Sequence, residues 1–287
     1  NIWDSPDGHS INYNFDEESG FQRIEEAEQF ALDYNGTYDK RIHVLLGPTQ
    51  TMTCTPDMLK ATRKLADKLG VGITIHGAED LIEFESCVRI HGKTPIEFMS
   101  DTGMLGEDVV VAHCVYIKGH ENVFMAGKQD LKLLADSKTT VAHSPLPFAR
   151  VGDTLQSISR YLRAGVNVGI GTDTFPSDFI QEMRLAALMG KIVEGSTYAT
   201  TAGQIFNAAT VNGAKAFGRK DIGRLAHGAK ADFVVFRLNS IEMVPTRDVI
   251  KNIIYSATRY SVDRVYVEGK CLVREGKIAD FDEEALS

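Results

Sequence analysis

Residues 71–79 read Val-Gly-Ile-Thr-Ile-His-Gly-Ala-Glu. The run opens apolar and β-branched, as a strand buried in a parallel sheet does. It closes on His76, with Glu79 three residues further on. Taken alone, a histidine after an apolar run is as a rule a satisfied core or loop side chain. The pattern recurs, however. Residues 108–112 (Asp-Val-Val-Val-Ala) end at His113, 139–142 (Thr-Thr-Val-Ala) end at His143, and 166–171 end in Thr172 and Asp173. An ionisable group buried without a partner is costly, so a chain that repeats one at each strand end is building a site there.

Outward from this stretch, helices alternate with strands. Residues 1–20 are rich in Asp, Ser, Gly and Asn and read as a long loop; an amphipathic helix is expected over 21–34. A short buried strand follows at 42–46. Thr55 can cap the next helix with Pro56 in its first turn, and Gly70 ends it. Helices are expected around 80–90 and 94–101, over 128–136, over 153–164 and over 177–193. Strand starts thus recur roughly every 30 residues with a helix in each interval, the period of a βα unit and of a parallel sheet. In a closed barrel of such units the active site forms at the carboxyl ends of the strands. Beyond a helix over 201–217 the chain turns strand-like. Residues 231–236 are an apolar run, and 262–267 with 271–273 read as a hairpin around Glu268-Gly269-Lys270.

The 287 residues suffice for one barrel or two smaller domains. A net charge of −8 argues against nucleic acid or an anionic membrane as partner. No apolar run is long enough to span a bilayer. Cys54, Cys87, Cys114 and Cys271 are widely separated and read as reduced thiols of a cytoplasmic protein. Histidines and an aspartate on successive strands suit a divalent metal with an open position for water, and Glu79 is placed to move protons.

At this point a resemblance is plain. Ile-Thr-Ile-His-Gly-Ala-Glu at 73–79, Val-Val-Val-Ala-His-Cys-Val-Tyr-Ile at 109–117, Val-Gly-Ile-Gly-Thr-Asp-Thr-Phe-Pro-Ser-Asp at 168–178 and the run from Ile222 to Phe236 resemble, in order, motifs of the amidohydrolase superfamily. The branch is that of cytosine-deaminase-like and chlorohydrolase-like enzymes. The resemblance implies an α/β fold: a (β/α)8 TIM barrel, of which this chain carries strands four to eight, over 1–220, and part of a small β-sandwich over 221–287. It implies His76 and Asp173 as metal ligands and His113 as a group that polarises the attacking water or the tetrahedral intermediate, and as a further ligand were the site to hold two metals. Glu79 would protonate the substrate nitrogen or leaving group, and Asp173 would act as base towards water. Leu46-Gly47-Pro48 stands where binuclear members carry a carbamylated lysine, so one metal is implied, zinc or else iron. His143, Arg150, Thr174, Phe175 and Asp178 are candidate substrate contacts.

The chain departs from the family pattern twice. Its eight histidines include no His-x-His pair of the kind the family carries on strand one, and His9, in a polar loop, is a poorer account of that than a chain that starts later. The expectation is that the chain starts after strand three, lacking three βα units of about 90 residues. After strand seven, where the family commonly shows His-x-Pro-x-Ser-Asn, this chain reads His143-Ser144-Pro145-Leu146-Pro147-Phe148. The activity implied is hydrolysis of a non-peptide carbon–nitrogen bond, foremost deamination of an aminated purine, pyrimidine, pterin or triazine, by a homodimer or larger homo-oligomer. The competing reading is a non-catalytic scaffold that assembles into oligomers.

Overall fold

The computed structural model describes residues 2–4, 12–155 and 157–279. His9 lies outside the described residues. Backbone packing divides the chain into two compact units: Asn1–Ala142 with Tyr161–Asn167, and His143–Arg160 with Val168–Ser287.

In the first unit, β1 (Ile2–Asp4) and β2 (Asn12–Asn14) pair antiparallel, where the composition had suggested loop. Helix α1 (Glu17–Tyr34) starts four residues before the expected position because Asp16 caps it, accepting the Ser19 N–H at 3.0 Å. A four-residue turn, α2 (Thr37–Lys40), and the short strand β3 (Leu45–Leu46) follow, so only the end of the 42–46 run is strand. Helix α3 (Pro56–Leu69) has Thr55 as its cap, Pro56 in its first turn and Gly70 in the left-handed conformation at its end, all as read from the sequence. Its buried residues are Leu59, Thr62, Leu65 and Ala66. Then come β4 (Gly72–Gly77), α4 (Leu81–His91), α5 (Pro95–Asp101), β5 (Val109–His113), α6 (Gln129–Asp136) and β6 (Thr140–His143).

The next elements are α7 (Pro145–Val151), α8 (Ile158–Arg163) and β7 (Asn167–Ile170). The expected 153–164 helix is confined to α8, and Pro145 opens a helix that the sequence reading missed. Strands β3 to β7 form a five-stranded parallel sheet in sequential order, the pattern of a (β/α)8 barrel core. Its middle is apolar: Ile73 pairs with Val109 and Ile75 with Val111, and all four are buried. Gly72 is required by close approach, since a Cβ there would lie 2.8 Å from the Asp108 carbonyl oxygen.

The second unit continues with α9 (Phe179–Glu194), capped by Asp178. The expected 201–217 helix is two, α10 (Ala202–Ala208) and α11 (Val211–Ala216), because Thr210 leaves helical geometry at φ −130° and ψ −92°. Strand β8 (Phe233–Phe236), helix α12 (Val249–Tyr255) and strands β9 (Val262–Val267), β10 (Lys270–Arg274) and β11 (Lys277–Ile278) complete it. The four strands form an antiparallel sheet ordered β11-β10-β9-β8, resembling a C-terminal sandwich. The hairpin stands where expected. Its turn is Glu268-Gly269, both with positive φ, and Val267 faces Lys270 across it. Cys54, Cys87, Cys114 and Cys271 are free thiols. Among the described residues no helix is long and apolar enough to cross a membrane.

Candidate active site

His76 is the penultimate residue of β4, and His113 is the last of β5. In the parallel register His76 faces Ala112, and His113 faces Gly77. Strict alternation would send His113 to the face of Val109 and Val111. Its φ of +78° breaks the alternation. The two imidazoles stack, with ring centroids 5.4 Å apart and planes 17° from parallel. Left-handed backbone continues at Cys114 (φ +51°) and occurs at Ala78 (φ +53°), between His76 and Glu79. Such conformations cost on the order of 1–3 kcal/mol for a side-chain-bearing residue and persist where the surroundings enforce them. Part of that enforcement is Tyr161, fully buried, whose hydroxyl donates to the Cys114 carbonyl.

His76 is held from behind. Its backbone N–H donates to the Thr49 carbonyl at 3.2 Å, and its Nδ1 lies 2.6 Å from the same oxygen. A carbonyl only accepts, so Nδ1 carries the hydrogen and the lone pair of the neutral ring sits on Nε2. Glu79 brings Oε1 to 3.9 Å from His113 Nε2, and its Oε2 accepts from Gln50 Nε2.

Behind Glu79 stands Glu83, which the motif reading passed over. It is 0% exposed, accepts the Glu79 N–H at 2.6 Å and also accepts from the Thr51 hydroxyl. Burial pushes its carboxyl up to about 7; the Thr51 and Glu79 hydrogen bonds pull it down, and the Asp80 and Glu79 carboxylates push it further up. A glutamate free of such burial titrates near 4.5. Between 4.5 and about 7 the native state therefore holds a proton at Glu83 that the unfolded chain has lost. Stability from this group is complete below that window and falls as pH rises through it, by up to about 3 kcal/mol. Glu83→Gln is expected to remove this slope from urea midpoints measured between about pH 4 and about pH 8. An unchanged slope would assign the dependence to other groups.

In the second unit, Asp173 lies three residues beyond β7 with φ +56°. His143, the last residue of β6, is buried. Arg150 is exposed on α7, where its guanidinium donates to the Phe175 carbonyl at 2.9 Å. Thr174 and Phe175 lie in the loop before α9, with Phe175 86% exposed. Asp178 has a structural task, since its Oδ1 accepts the N–H groups of Ile180 and Gln181 at the start of α9. Glu182, another residue the motifs do not name, is fully buried on α9 and accepts the Leu146 N–H at 2.9 Å. Burial pushes its carboxyl up to about 7; the Leu146 N–H pulls it down, and Asp173 and Asp178 push it further up.

Among the described residues no group of three or more His, Cys, Asp or Glu side chains stands ready to enclose a metal. The donor types nevertheless fit a divalent ion, imidazole nitrogen and carboxylate oxygen being zinc ligands. His76 fits best, because a ligating histidine commonly donates its other ring N–H to a carbonyl, as His76 does to Thr49.

Parallel βα units with histidines at successive strand ends define a barrel-type protein with a candidate site at the carboxyl ends of its strands. The chain belongs to the amidohydrolase family, whose model matches residues 7–272. It is 34% identical over 273 residues to a 5'-deoxyadenosine deaminase of Methanothermobacter thermautotrophicus, covering 94% of this chain and 62% of that protein. It is 35% identical over 270 residues to a 5-methylthioadenosine/S-adenosylhomocysteine deaminase of Moorella thermoacetica, covering 92% and 61%. Among solved structures it resembles an adenosine deaminase from Xanthomonas campestris with bound zinc, at a TM-score of 0.85 and 26% identity over 93% of this chain and 59% of that one. It also resembles an atrazine chlorohydrolase from Arthrobacter aurescens complexed with zinc, at a TM-score of 0.80 and 25% identity over 92% and 58%. The chain thus spans about three fifths of the length of the curated relatives it matches, 62% and 61% for the two named.

Proposed function

We propose that the protein is a metal-dependent hydrolase acting on a non-peptide carbon–nitrogen bond, and that its reaction is deamination of an aminated heterocycle of the aminopurine kind. The observation that carries this reading is the His76–His113 stack with Glu79 at 3.9 Å. The deaminase relatives support the substrate class. A divalent ion, zinc or iron, held by His76 and Asp173, with His113 a ligand only where a second ion binds, would supply activation of water at neutral pH. Asp173 takes a proton from the water as its oxygen bonds to the ring carbon. His113 hydrogen-bonds the oxygen on which charge develops. Glu79 gives its proton to the ring nitrogen and takes one back from the added hydroxyl as the carbonyl forms. The carbon–nitrogen bond breaks, and ammonia leaves with the proton that the water gave up. His143, Arg150, Thr174 and Asp178 would contact the substrate. Residues 1–220 would be barrel and 221–287 part of the sandwich, in a cytoplasmic homo-oligomer.

The test is metal content by elemental analysis of the protein and of His76→Ala. The expected result is one zinc or iron per chain, lost in the variant. A folded protein that retains no metal in either form would overturn the mechanism and leave the non-catalytic scaffold.

A further inference from the structure

Thr49, Gln50 and Thr51 lie outside the four stretches that carry the family resemblance, yet each reaches the stretch from His76 to Glu83. The Thr49 carbonyl accepts from His76 Nδ1 at 2.6 Å. Gln50 bridges His76 in parallel register, and its Nε2 donates to Glu79 Oε2. The Thr51 hydroxyl donates to Glu83 Oε1, while Glu83 Oε2 accepts the Glu79 backbone N–H at 2.6 Å. We propose that this strip is a clamp in which Gln50 positions the Glu79 carboxylate against His113 and Thr51, through Glu83, positions the Glu79 backbone. The inference rests on Glu79 being the proton-transfer group.

The geometry divides the two oxygens of Glu79. Oε2 is taken by Gln50, and Oε1 is the atom that faces His113 Nε2 at 3.9 Å. A glutamate side chain that is 28% exposed has several torsions to spend, and one pinned oxygen aims the other. The amide of Gln50 is neutral, so it orients the carboxylate without pairing its charge as a lysine would. Glu83 is not needed as a helix cap. Asp80 already fills that role for α4, accepting the Glu83 N–H at 2.7 Å. Thr51 and Glu83 are both 0% exposed, so their contact is an internal strut.

The experiment joins crystal structures with steady-state kinetics of Gln50→Leu, Thr51→Val and Thr51→Ser, using ammonia release from an aminopurine nucleoside. In Gln50→Leu the Glu79 carboxylate is expected to swing away from His113 while the β4 and α4 backbones stay in place. Its kcat should fall about a hundredfold with KM within about twofold, the loss that follows from displacing a reacting group by about 1 Å. Thr51→Val should lower kcat, and Thr51→Ser, which keeps the hydroxyl, should restore it. Gln50→Asn, one methylene shorter, is the second variant should Gln50→Leu fail to fold, and the same displacement is expected of it. A Glu79 carboxylate that keeps its place beside His113 without the Gln50 amide would overturn the clamp. Failure of the catalytic reading would show differently, as full turnover in Glu79→Gln, and the crystallographic displacement is read without any turnover.

Discussion

Replacing Glu79 with glutamine is expected to lower turnover about 10²- to 10⁴-fold while metal stays bound, the range that a positioned general acid–base group contributes. Glutamine keeps the size and one oxygen of glutamate, so packing against Gln50 survives in part. What it lacks is a proton that can be given and taken back. His76 and His113 are untouched by the change, so metal content should match the wild type. The comparison is kcat with elemental analysis on the same preparation. Turnover within about twofold of the wild type would remove Glu79 from the chemistry and leave its hydrogen bonds to Gln50 and Glu83 as purely structural. Loss of both metal and turnover would instead make Glu79 a metal-holding group.

Phe84→Ala is expected to cost about 3–5 kcal/mol of stability, the range for emptying a fully buried aromatic position. Phe84 is 0% exposed on α4, the helix that also carries buried Glu83, Ser86 and Cys87. Its ring meets Phe124 edge to face at 6.3 Å between centroids. The cavity would open beneath the first turn of α4, where Asp80 caps the helix and Glu83 holds Glu79. Urea unfolding of the two proteins measures the loss. A difference under about 1 kcal/mol would mean that α4 re-packs over the gap and that this core is not what fixes Glu79.

Much of the frame was legible in the sequence because it is periodic. Apolar runs before His76, His113 and His143 place three strands of one sheet, and the Thr55–Pro56 start and Gly70 stop bound α3 closely. Where local composition competes with tertiary pairing, the reading failed. The polar N-terminal stretch contains β1 and β2, paired with each other, and α1 begins at a cap inside a run of acidic residues. Thr210 splits one expected helix into two through a backbone conformation that composition does not encode. At the site, residue types could be read but not how they are held. No spacing rule shows that His113 departs from strand alternation through a positive φ, or that Gln50 reaches Glu79 across 29 residues of chain. A partial signal existed for Glu83 and Glu182. Each is an acid in the first turn of a helix just after a motif carboxylate, and burial alone distinguishes them from ordinary helix-start acids.

The measurement that bears most directly on the central claim is ammonia release by the zinc-loaded protein from a panel of aminated heterocycles that includes 5'-deoxyadenosine and 5-methylthioadenosine, with Glu79→Gln in parallel. The account predicts ammonia from at least one aminopurine nucleoside, with oxygen in place of the ring amine and with that release lost in Glu79→Gln. No ammonia from any aminated ring by a folded, metal-loaded protein would contradict it.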